Sequence, residues 1–357
     1  MSADKPMSPL VQLYHPGEQF EISEAGLAAW RRSEVFGKPF SFYRNYPQQS
    51  LISDESRALL HHLVVMRRPE RILEIGTFVA GTTEVFARAL WEVGRGHIDT
   101  IDPFGAERCP PIIAAFPAEL RERITFSPVN SAAHFDRELS HNRTYDFVFI
   151  DGNHEFEYAL FDLLCTARLI SPRGLVVLDN VDQPGPRLAT KLFLKSFPEW
   201  NDVAGVVQKI DPAAPLAAPV PSFPDTNFYL LEAPPHYVVR GEPRSFGSAD
   251  VDHADVDGIE LELAAPAQGD LHIHVYARTF GLAEPEELQC RQSLAFNHPE
   301  LPADGRVRIP LQRPLHTAFS RPGLVRRVEV LLAFTGSSPL ALRSAPLPYP
   351  AKHGIST

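Results

Sequence analysis

The sequence has few of the residues and runs that define several classes of protein. It has only 3 cysteines among 357 residues, Cys109, Cys165 and Cys290, and none of them belongs to a Cys-x-x-Cys pair. Such spacing indicates neither a disulfide framework nor a zinc site, and it favours a reducing compartment. No apolar stretch reaches the roughly 18 residues of a membrane span, and the amino terminus lacks the apolar core of a signal peptide. We therefore expect a cytoplasmic protein without a membrane partner.

Clustered positive charge is also missing. The formal net charge is -10, from 34 Lys and Arg against 44 Asp and Glu residues. No local run of Lys or Arg reverses this balance, so we expect no nucleic-acid partner. A hydrophobic fraction of 44% with 22% charged residues is typical of a globular protein.

Proline is abundant, at 34 residues, and its distribution helps to divide the chain. Residues 1–50 mix aromatic side chains with prolines and show no sustained periodicity. This amino-terminal extension could cover an active site, or it could simply pack on the surface. Residues 51–235 form the next region, and residues 236–357 form a third region that is rich in predicted strands.

Residues 51–235 alternate short apolar runs with helical patterns. Strands are predicted at 71–75, 97–102, 124–129, 145–151 and 174–179, with helices at 82–93, 112–121, 132–140, 155–170 and 189–197. Helices that connect consecutive strands imply right-handed crossovers and a parallel sheet covered on both faces. Residues 203–207 and 227–231 are predicted to add antiparallel edge strands. The expected fold is a doubly wound, Rossmann-like α/β domain.

Beyond residue 235 the pattern changes to period-two alternation at 259–263, 271–276 and 328–334. With proline and glycine turns and no long helix, this pattern predicts a small, sandwich-like all-β domain. His272 and His274 share one strand face, but without a third ligand nearby they favour packing over a metal site. Oligomerisation and substrate capture both remain open as roles for this domain.

A glycine-rich turn follows the first strand of the α/β region. Glu74, Gly76 and Gly81 give the spacing Glu-x-Gly-x-x-x-Gly between a strand and a helix, where backbone can approach a nucleotide-like group closely. A tight turn that binds nothing explains the glycines equally well. The full Gly-x-Gly-x-x-Gly fingerprint of nicotinamide enzymes is missing, which disfavours a dehydrogenase.

Polar residues also follow the second and third strands. Asp102 ends the second strand, where a carboxylate can accept hydrogen bonds from both ribose hydroxyls, although it could also cap the next helix. Asn130 and Ser131 follow the third strand. They could meet an adenine ring or form the amino-terminal cap of a helix.

Oxygen-bearing side chains follow the fourth and fifth strands. Asp151 ends the fourth strand, and Asp179 and Asn180 end the fifth. Because neighbouring parallel strands end at one rim, these three side chains can converge on magnesium, manganese or calcium. His154 lies close enough in sequence to accept a proton from a hydroxyl there. Solvated loop positions are the plain alternative.

Residues 51–233 resemble the class I S-adenosylmethionine-dependent methyltransferases, in particular the metal-dependent O-methyltransferases of the catechol, caffeoyl-coenzyme A and macrolide-sugar types. The resemblance rests on the segments 73–81, 101–103, 149–154 and 178–180. It implies S-adenosyl-L-methionine and Mg²⁺, or another divalent cation, as cofactors. The residues implied at the cofactor are Glu74, Gly76, Thr77, Gly81, Asp102, Asn130, Ser131 and Asp151. Those implied at the metal are Asp151, Asp179 and Asn180.

The resemblance also implies a reaction. The expected activity is metal-assisted O-methylation of a small-molecule hydroxyl, with Asp151 and His154 as catalytic residues. The family often has a lysine where this chain has His154, and the histidine is similar to that of the sugar-directed members. A vicinal diol of a sugar or natural product, or a catechol, is the expected acceptor. A metal-dependent hydroxylase on the same fold and a cofactor-retaining binding protein remain as alternatives, and homo-oligomers through either terminal region remain open.

Overall fold

The computed structural model describes residues 10–15, 18, 20–46, 50–140, 143–203, 227–239, 244–249, 256–280, 287–297, 305–315 and 325–350. The chain divides into two compact units, Met1–Asp136 with Thr144–Ala233, and Arg137–Arg143 with Pro234–Thr357. Most of the edge strand predicted at 203–207 lies outside the described residues. None of the helices in the described ranges is both long and apolar enough to cross a membrane.

The first unit contains a seven-stranded sheet. Its strands are β1 (Arg71–Ile75), β2 (His97–Ile101), β3 (Ile124–Ser127), β4 (Tyr145–Ile150), β5 (Ile170–Leu178), β6 (Asn201–Asp202) and β7 (Tyr229–Glu232). The order is β3-β2-β1-β4-β5-β7-β6, in which the first five strands are parallel and the last two antiparallel. The order reverses between β1 and β4, so a crevice opens at their carboxyl ends. The predicted Rossmann-like sheet is confirmed.

The central strands are apolar because both faces of the sheet are covered. In β4, Phe147 and Phe149 belong to one hydrophobic core, and Val148 and Ile150 belong to the other. The first core is completed by helices α3 (Asp54–Arg67) and α4 (Gly81–Val93), and the second by α8 (Phe156–Leu169) and α9 (Pro184–Ser196). Burial on both faces fixes the position of each strand along its own axis. It therefore also fixes the level at which the carboxyl end of the strand leaves the sheet.

Two helix predictions were wrong in detail, and proline explains both. The single helix predicted at 112–121 is two short helices, α5 (Cys109–Ala114) and α6 (Ala118–Arg121). The residue before a proline avoids the helical region, so the chain turns at Phe116-Pro117. Helix α9 begins at Pro184, ahead of the predicted residue 189, because proline is well tolerated in a first helical turn. Helix α7 (Ser131–Ser140) lies close to its prediction.

The amino-terminal region is more regular than its sequence indicated. It contains α1 (Glu24–Arg31) and α2 (Glu34–Asn45). The Ser23 hydroxyl caps α1 by accepting a hydrogen bond from the Gly26 N–H at 3.1 Å. Trp30 and Tyr43 are fully buried in the same core as α3. Tertiary packing of these aromatic side chains, rather than a regular helical spacing of apolar residues, therefore stabilises the two helices.

A buried polar cluster attaches this region to α3. The Trp30 indole donates to the Tyr14 hydroxyl at 3.0 Å, and that hydroxyl lies 3.0 Å from Nδ1 of His62. The His62 ring stacks on Trp30 at 4.1 Å between centroids, and its Nε2 is buried without a hydrogen-bond partner among the described residues. Burial, with a smaller contribution from the neighbouring His61, lowers the pKa of His62 to about 3.

This buried histidine predicts acid sensitivity of the first unit. His62 protonates near pH 6.5 in the unfolded chain but stays neutral in the folded one down to about pH 3. Stability is therefore complete above pH 6.5 and is lost as pH falls, by roughly 2 kcal/mol at pH 5. Denaturant unfolding followed by tryptophan fluorescence measures this loss, because Trp30, Trp91 and Trp200 all lie in the first unit.

The variant His62→Gln should remove most of this loss between pH 7.5 and pH 5, because an amide does not titrate. Exposed His15→Gln is the matched control and should leave the pH dependence unchanged. An equal loss of stability in wild type and His62→Gln would refute the assignment.

The second unit is an all-β structure. Its strands are β8 (Tyr237–Val239), β9 (Arg244–Ala249), β10 (Val256–Glu262), β11 (Gly269–Phe280), β12 (Glu287–Asn297), β13 (Arg306–Leu315), β14 (Val325–Gly336), β15 (Leu340–Leu342) and β16 (Leu347–Pro350). They form antiparallel sheets of order β12-β11-β14-β9, β13-β10-β16 and β15-β8. One core joins Ile259 of β10 to Ile273 and Val330 of the larger sheet, as the sandwich prediction requires. His272 is exposed and His274 half-buried, in alternation with these core positions.

Candidate active site

The carboxyl ends of β1, β4 and β5 lie at one level. Ile75 pairs with Ile150, and Ile150 pairs with Leu178. The N–H of Asp151 donates to the Ile75 carbonyl at 2.9 Å, and the N–H of Asp179 donates to the Ile150 carbonyl at 2.9 Å. The residues that follow the three strands therefore share a single rim.

The glycine turn is packed directly against this rim. Gly76 has φ +101°, and a Cβ atom there would lie 2.0 Å from the carbonyl oxygen of Asp151. Phe78 and Ala80 also have left-handed backbones, with φ of 44° and 57°. The chain then enters α4 at Gly81. Only glycine fits at position 76, because any side chain would overlap the backbone of the neighbouring strand end.

Glu74 lies beneath the turn and is fully buried. Its Oε2 accepts hydrogen bonds from the hydroxyls of Thr83 at 2.5 Å and Thr100 at 2.6 Å. The Thr77 hydroxyl lies 2.7 Å from that of Thr100, which extends the network into the turn. Oε1 of Glu74 has no hydrogen-bond partner among the described residues. Burial raises the pKa of Glu74 to about 8, against the two threonine hydrogen bonds that lower it.

Asp102 ties the turn to the end of β2. Its Oδ1 accepts from the N–H of Phe104 at 2.8 Å, and its Oδ2 accepts from the N–H of Phe78 at 2.9 Å. The Arg108 guanidinium also donates to Oδ2, at 3.1 Å. Asp102 is 7% exposed, whereas the Phe104 side chain is 86% exposed. The carboxylate is thus held in a fixed orientation at the mouth of the crevice.

Asn130 and Ser131 follow β3. The side-chain oxygen of Asn130 accepts from the N–H of Ala133 at 2.9 Å, so Asn130 caps α7 as the alternative interpretation expected. The Ser131 side chain hydrogen-bonds to Asp162 of α8. Asp162 is buried, its Oδ1 has no partner among the described residues, and burial raises its pKa to about 6. Sequence patterns gave no indication of Asp162, since it occupies a helix position without a motif.

Two carboxylates meet at the rim. Asp151 is one-quarter exposed, Asp179 is buried, and the two carboxyl groups lie within hydrogen-bonding reach of each other. Burial raises the pKa of Asp179 well above its usual range, and the negative charge of Asp151 raises it further. His154 Nε2 lies 3.4 Å from Asp151 Oδ1. Asn180 has a left-handed backbone with φ 54°, and its N–H donates to Asp179 Oδ1 at 2.7 Å.

Oxygen-bearing side chains dominate this rim. In the described part of the chain, no three His, Cys, Asp or Glu side chains form a group that could hold a metal ion. The rim offers two carboxylates and the neighbouring Asn180, all of them hard oxygen donors. Two acidic groups in contact repel each other unless a proton or a cation lies between them. The raised pKa of Asp179 is consistent with a proton shared by the two carboxyl groups in this structure.

A segment of the first unit matches a known family of domains. Residues 73–181 match a family model described as a methyltransferase domain. This part of the chain is a methyltransferase domain. The match extends from β1 to the residues after β5, so it includes the glycine turn, Asp102, Asp151 and Asp179.

Two O-methyltransferases are among the solved structures similar to this chain. The O-methyltransferase from Bacillus cereus in complex with S-adenosylhomocysteine is 16% identical, covers 56% of this chain and 90% of its own, and has a TM-score of 0.40. TomG from Streptomyces achromogenes, involved in tomaymycin synthesis and in complex with S-adenosylmethionine, is 21% identical, covers 59% and 94%, and has a TM-score of 0.39. The comparison with curated proteins finds no match.

The methyltransferase domain brings most of the predicted site residues to one crevice. Gly76, Asp151, Asp179 and His154 lie together at the rim through the contacts described above. Glu74 and Thr77 lie in the buried network beneath the turn, where their hydroxyl and carboxyl groups contact each other through Thr100. Asn130 and Ser131 lie at the end of β3, three strands away from β4 in the sheet order.

Gly185 was missed by the sequence analysis. A Cβ atom at this position would lie 2.1 Å from the carbonyl oxygen of His154 and 2.9 Å from the Phe156 nitrogen. The first turn of α9 therefore fixes the loop that carries His154. A glycine between two prolines, ahead of the helix predicted at 189–197, was the available signal.

A separate polar cavity of about 590 Å³ lies away from this rim. It is lined by Met66, Arg67 and Arg68 at the end of α3, and by Arg173 and Glu232. Arg68 precedes β1, and Glu232 pairs with Leu175 near the amino end of the parallel part of β5. This cavity therefore lies at the opposite end of the strands from the methyltransferase rim.

Proposed function

We propose that this methyltransferase transfers the methyl group of S-adenosyl-L-methionine to a hydroxyl of a small molecule, assisted by a divalent cation such as Mg²⁺. The observation that carries the proposal is the pair of touching carboxylates, Asp151 and Asp179, directly beside the Gly76 turn. Methyl transfer by itself requires only a crevice that binds the cofactor. An added acidic pair at the same rim favours an acceptor whose oxygens can share a cation with the protein.

The cofactor side of the crevice is assigned to the residues around the glycine turn. The proposed cofactor-binding set is Glu74, Gly76, Thr77, Gly81, Asp102, Asn130, Ser131 and Asp151. The absence of a side chain at Gly76 lets the ligand approach the backbone, and the Asp102 carboxylate accepts hydrogen bonds from a ribose. The buried, unpartnered Oε1 of Glu74 supports the presence of a polar ligand above it. S-adenosylmethionine supplies an electrophilic methyl group.

The acceptor side is assigned to the rim. Asp151, Asp179 and Asn180 would hold the cation, which supplies Lewis acidity towards the substrate hydroxyl. His154 is the proposed base, because its side chain is 36% exposed and its Nε2 faces Asp151. The imidazole then accepts the substrate proton and releases it to solvent. Aligned positioning of the two reactants contributes most of the rate.

The chemistry of the rim also limits the acceptor. Two carboxylates and one amide leave several positions of a divalent cation open, which suits two neighbouring oxygens. We therefore propose a vicinal diol of a sugar or natural product, with a catechol as the second class. His154 in place of a lysine favours the sugar or natural-product hydroxyl. The division into an extension at 1–50, a catalytic domain at 51–235 and an accessory domain at 236–357 remains part of the proposal.

The proposal is tested by a methyl-transfer screen with radiolabelled S-adenosylmethionine over vicinal diols and phenols. Labelled product is expected with Mg²⁺, and its rate should fall at least about tenfold in EDTA. Iron-dependent oxygen consumption instead of methyl transfer would indicate the hydroxylase. Tight S-adenosylhomocysteine binding without transfer to any acceptor would indicate the binding protein. Equal rates with Mg²⁺ and with EDTA would remove the cation from the proposal.

A further inference from the structure

The Asp102 carboxylate has few free acceptor positions in this structure. An ionised carboxylate offers about four lone-pair positions on its two oxygens. Three of them are taken by the N–H of Phe104, the N–H of Phe78 and the guanidinium of Arg108. One position on Oδ1 remains. A ribose that donates both of its hydroxyls needs two positions, so one of the three present donors must leave.

Arg108 is the donor that can leave. The N–H groups of Phe78 and Phe104 belong to the backbone, and the turns that carry them are themselves hydrogen-bonded, through Ala80 to Thr77 and Gly105 to Asp102. Arg108 reaches Asp102 with a flexible side chain that is 36% exposed. A change of rotamer moves its guanidinium into solvent without disturbing either turn.

The Arg108 side chain also covers the glycine turn. Its Nε donates to the Phe78 carbonyl at 2.8 Å, and its guanidinium lies 4.7 Å from the centroid of the Phe78 ring. One side chain thus joins Phe78 to Asp102 across the mouth of the crevice. The other contact to the same carbonyl, from the Cys109 thiol at 3.1 Å, comes from a buried residue and stays in place.

We infer that Arg108 is a latch on the cofactor crevice: it occupies Oδ2 of Asp102 in the free protein and is displaced when both ribose hydroxyls bind. The inference rests on the proposed cofactor. Its consequence is a competition, in which the guanidinium lowers the affinity for a ribose with two hydroxyls. A ribose with one hydroxyl uses the open Oδ1 position and does not compete with Arg108.

The test is isothermal titration calorimetry of the full chain with S-adenosylhomocysteine and with its 2′-deoxy analogue. In Arg108→Gln, we expect S-adenosylhomocysteine to bind about threefold to fivefold more tightly than in wild type, a range set by the small contribution of exposed ion pairs. The 2′-deoxy analogue should gain less than about twofold, because it leaves Arg108 in place. Arg95→Gln removes the cation of an exposed ion pair with Glu70 and should change neither affinity.

The outcomes separate the latch from the cofactor assignment. If wild type binds S-adenosylhomocysteine, three results for Arg108→Gln overturn the latch and leave the cofactor proposal standing. These results are an unchanged affinity, a lower affinity, and an equal gain in affinity for both ligands. Binding to Arg108→Gln alone supports the latch in an extreme form. Binding to neither protein overturns both the latch and the proposed cofactor.

Discussion

The substitution Asp179→Asn is expected to stabilise the cation-free protein and to reduce methyl transfer at least about 100-fold. Substitution of residues behind a metal ligand commonly costs 10-fold to 100-fold in metal affinity or activity, so loss of a ligand should exceed that range. The gain in stability follows from the acidic pair. Asp179 is buried against Asp151, and the pKa of Asp179 is raised by burial and by that neighbouring charge. A neutral amide of the same shape removes the repulsion.

Two measurements check this prediction together. Thermal unfolding in EDTA should show a higher melting temperature for Asp179→Asn than for wild type, and Mg²⁺ should raise the melting temperature of wild type alone. Asp182→Asn is the matched control, since Asp182 is an exposed carboxylate three residues away whose Oδ1 accepts from Asn227 at 3.0 Å. It should keep activity within about twofold, as surface substitutions usually do. An Asp179→Asn protein that is less stable in EDTA, or fully active, contradicts the role of the pair.

The substitution Gly76→Ala should cause a large loss of stability in the first unit. The new Cβ atom would lie 2.0 Å from the Asp151 carbonyl oxygen, at a φ of +101° that alanine rarely adopts. Both obstacles are backbone, so no side chain can move aside. Overpacking and backbone strain together predict a loss of roughly 3 to 5 kcal/mol. Binding of S-adenosylhomocysteine should fall below detection, because the turn must leave the rim.

The substitution Gly94→Ala separates the effect of overpacking from that of backbone strain. Gly94 ends α4 with φ +83°, but a Cβ atom there meets nothing within 4 Å. Gly94→Ala should lower the free energy of unfolding through backbone strain alone, by about 1 kcal/mol, and leave the binding of S-adenosylhomocysteine unchanged. Chemical denaturation and calorimetry of both variants measure the difference. If Gly76→Ala and Gly94→Ala lose equal stability, the close contact with Asp151 does not exist in solution.

The sheet could be predicted from sequence because its central strands are buried on both faces. Residues 71–75 and 145–151 are mostly apolar, and the structure forms β1 and β4 there. Helices α1 and α2 could not be predicted in the same way, because their stability comes from Trp30 and Tyr43 packing into a distant core. Propensity and period contain no information about such contacts.

The site was predictable to the extent that strand ends define it. Asp151, Asp179 and Asn180 follow neighbouring strands, and parallel pairing alone brings them to one rim. The sequence could not predict which other side chains of the protein hydrogen-bond to the predicted site residues. Asp102 was expected at a ribose, yet Arg108, six residues later, donates to it, and Asp162 meets Ser131 from a different helix. Such partners depend on how loops and helices return to the rim.

The backbone of Gly76 packs directly against the backbone of Asp151, and this packing also limits how the substrate specificity of this enzyme can change. No side chain separates the two turns, so the spacing between the cofactor turn and the acidic rim is a property of the sheet. A substitution cannot lengthen or shorten this spacing by a small step, because every residue larger than glycine overlaps the neighbouring carbonyl. On the proposed function, new acceptors would be accommodated by the side chains around the rim, while the distance between methyl donor and acceptor would stay constant.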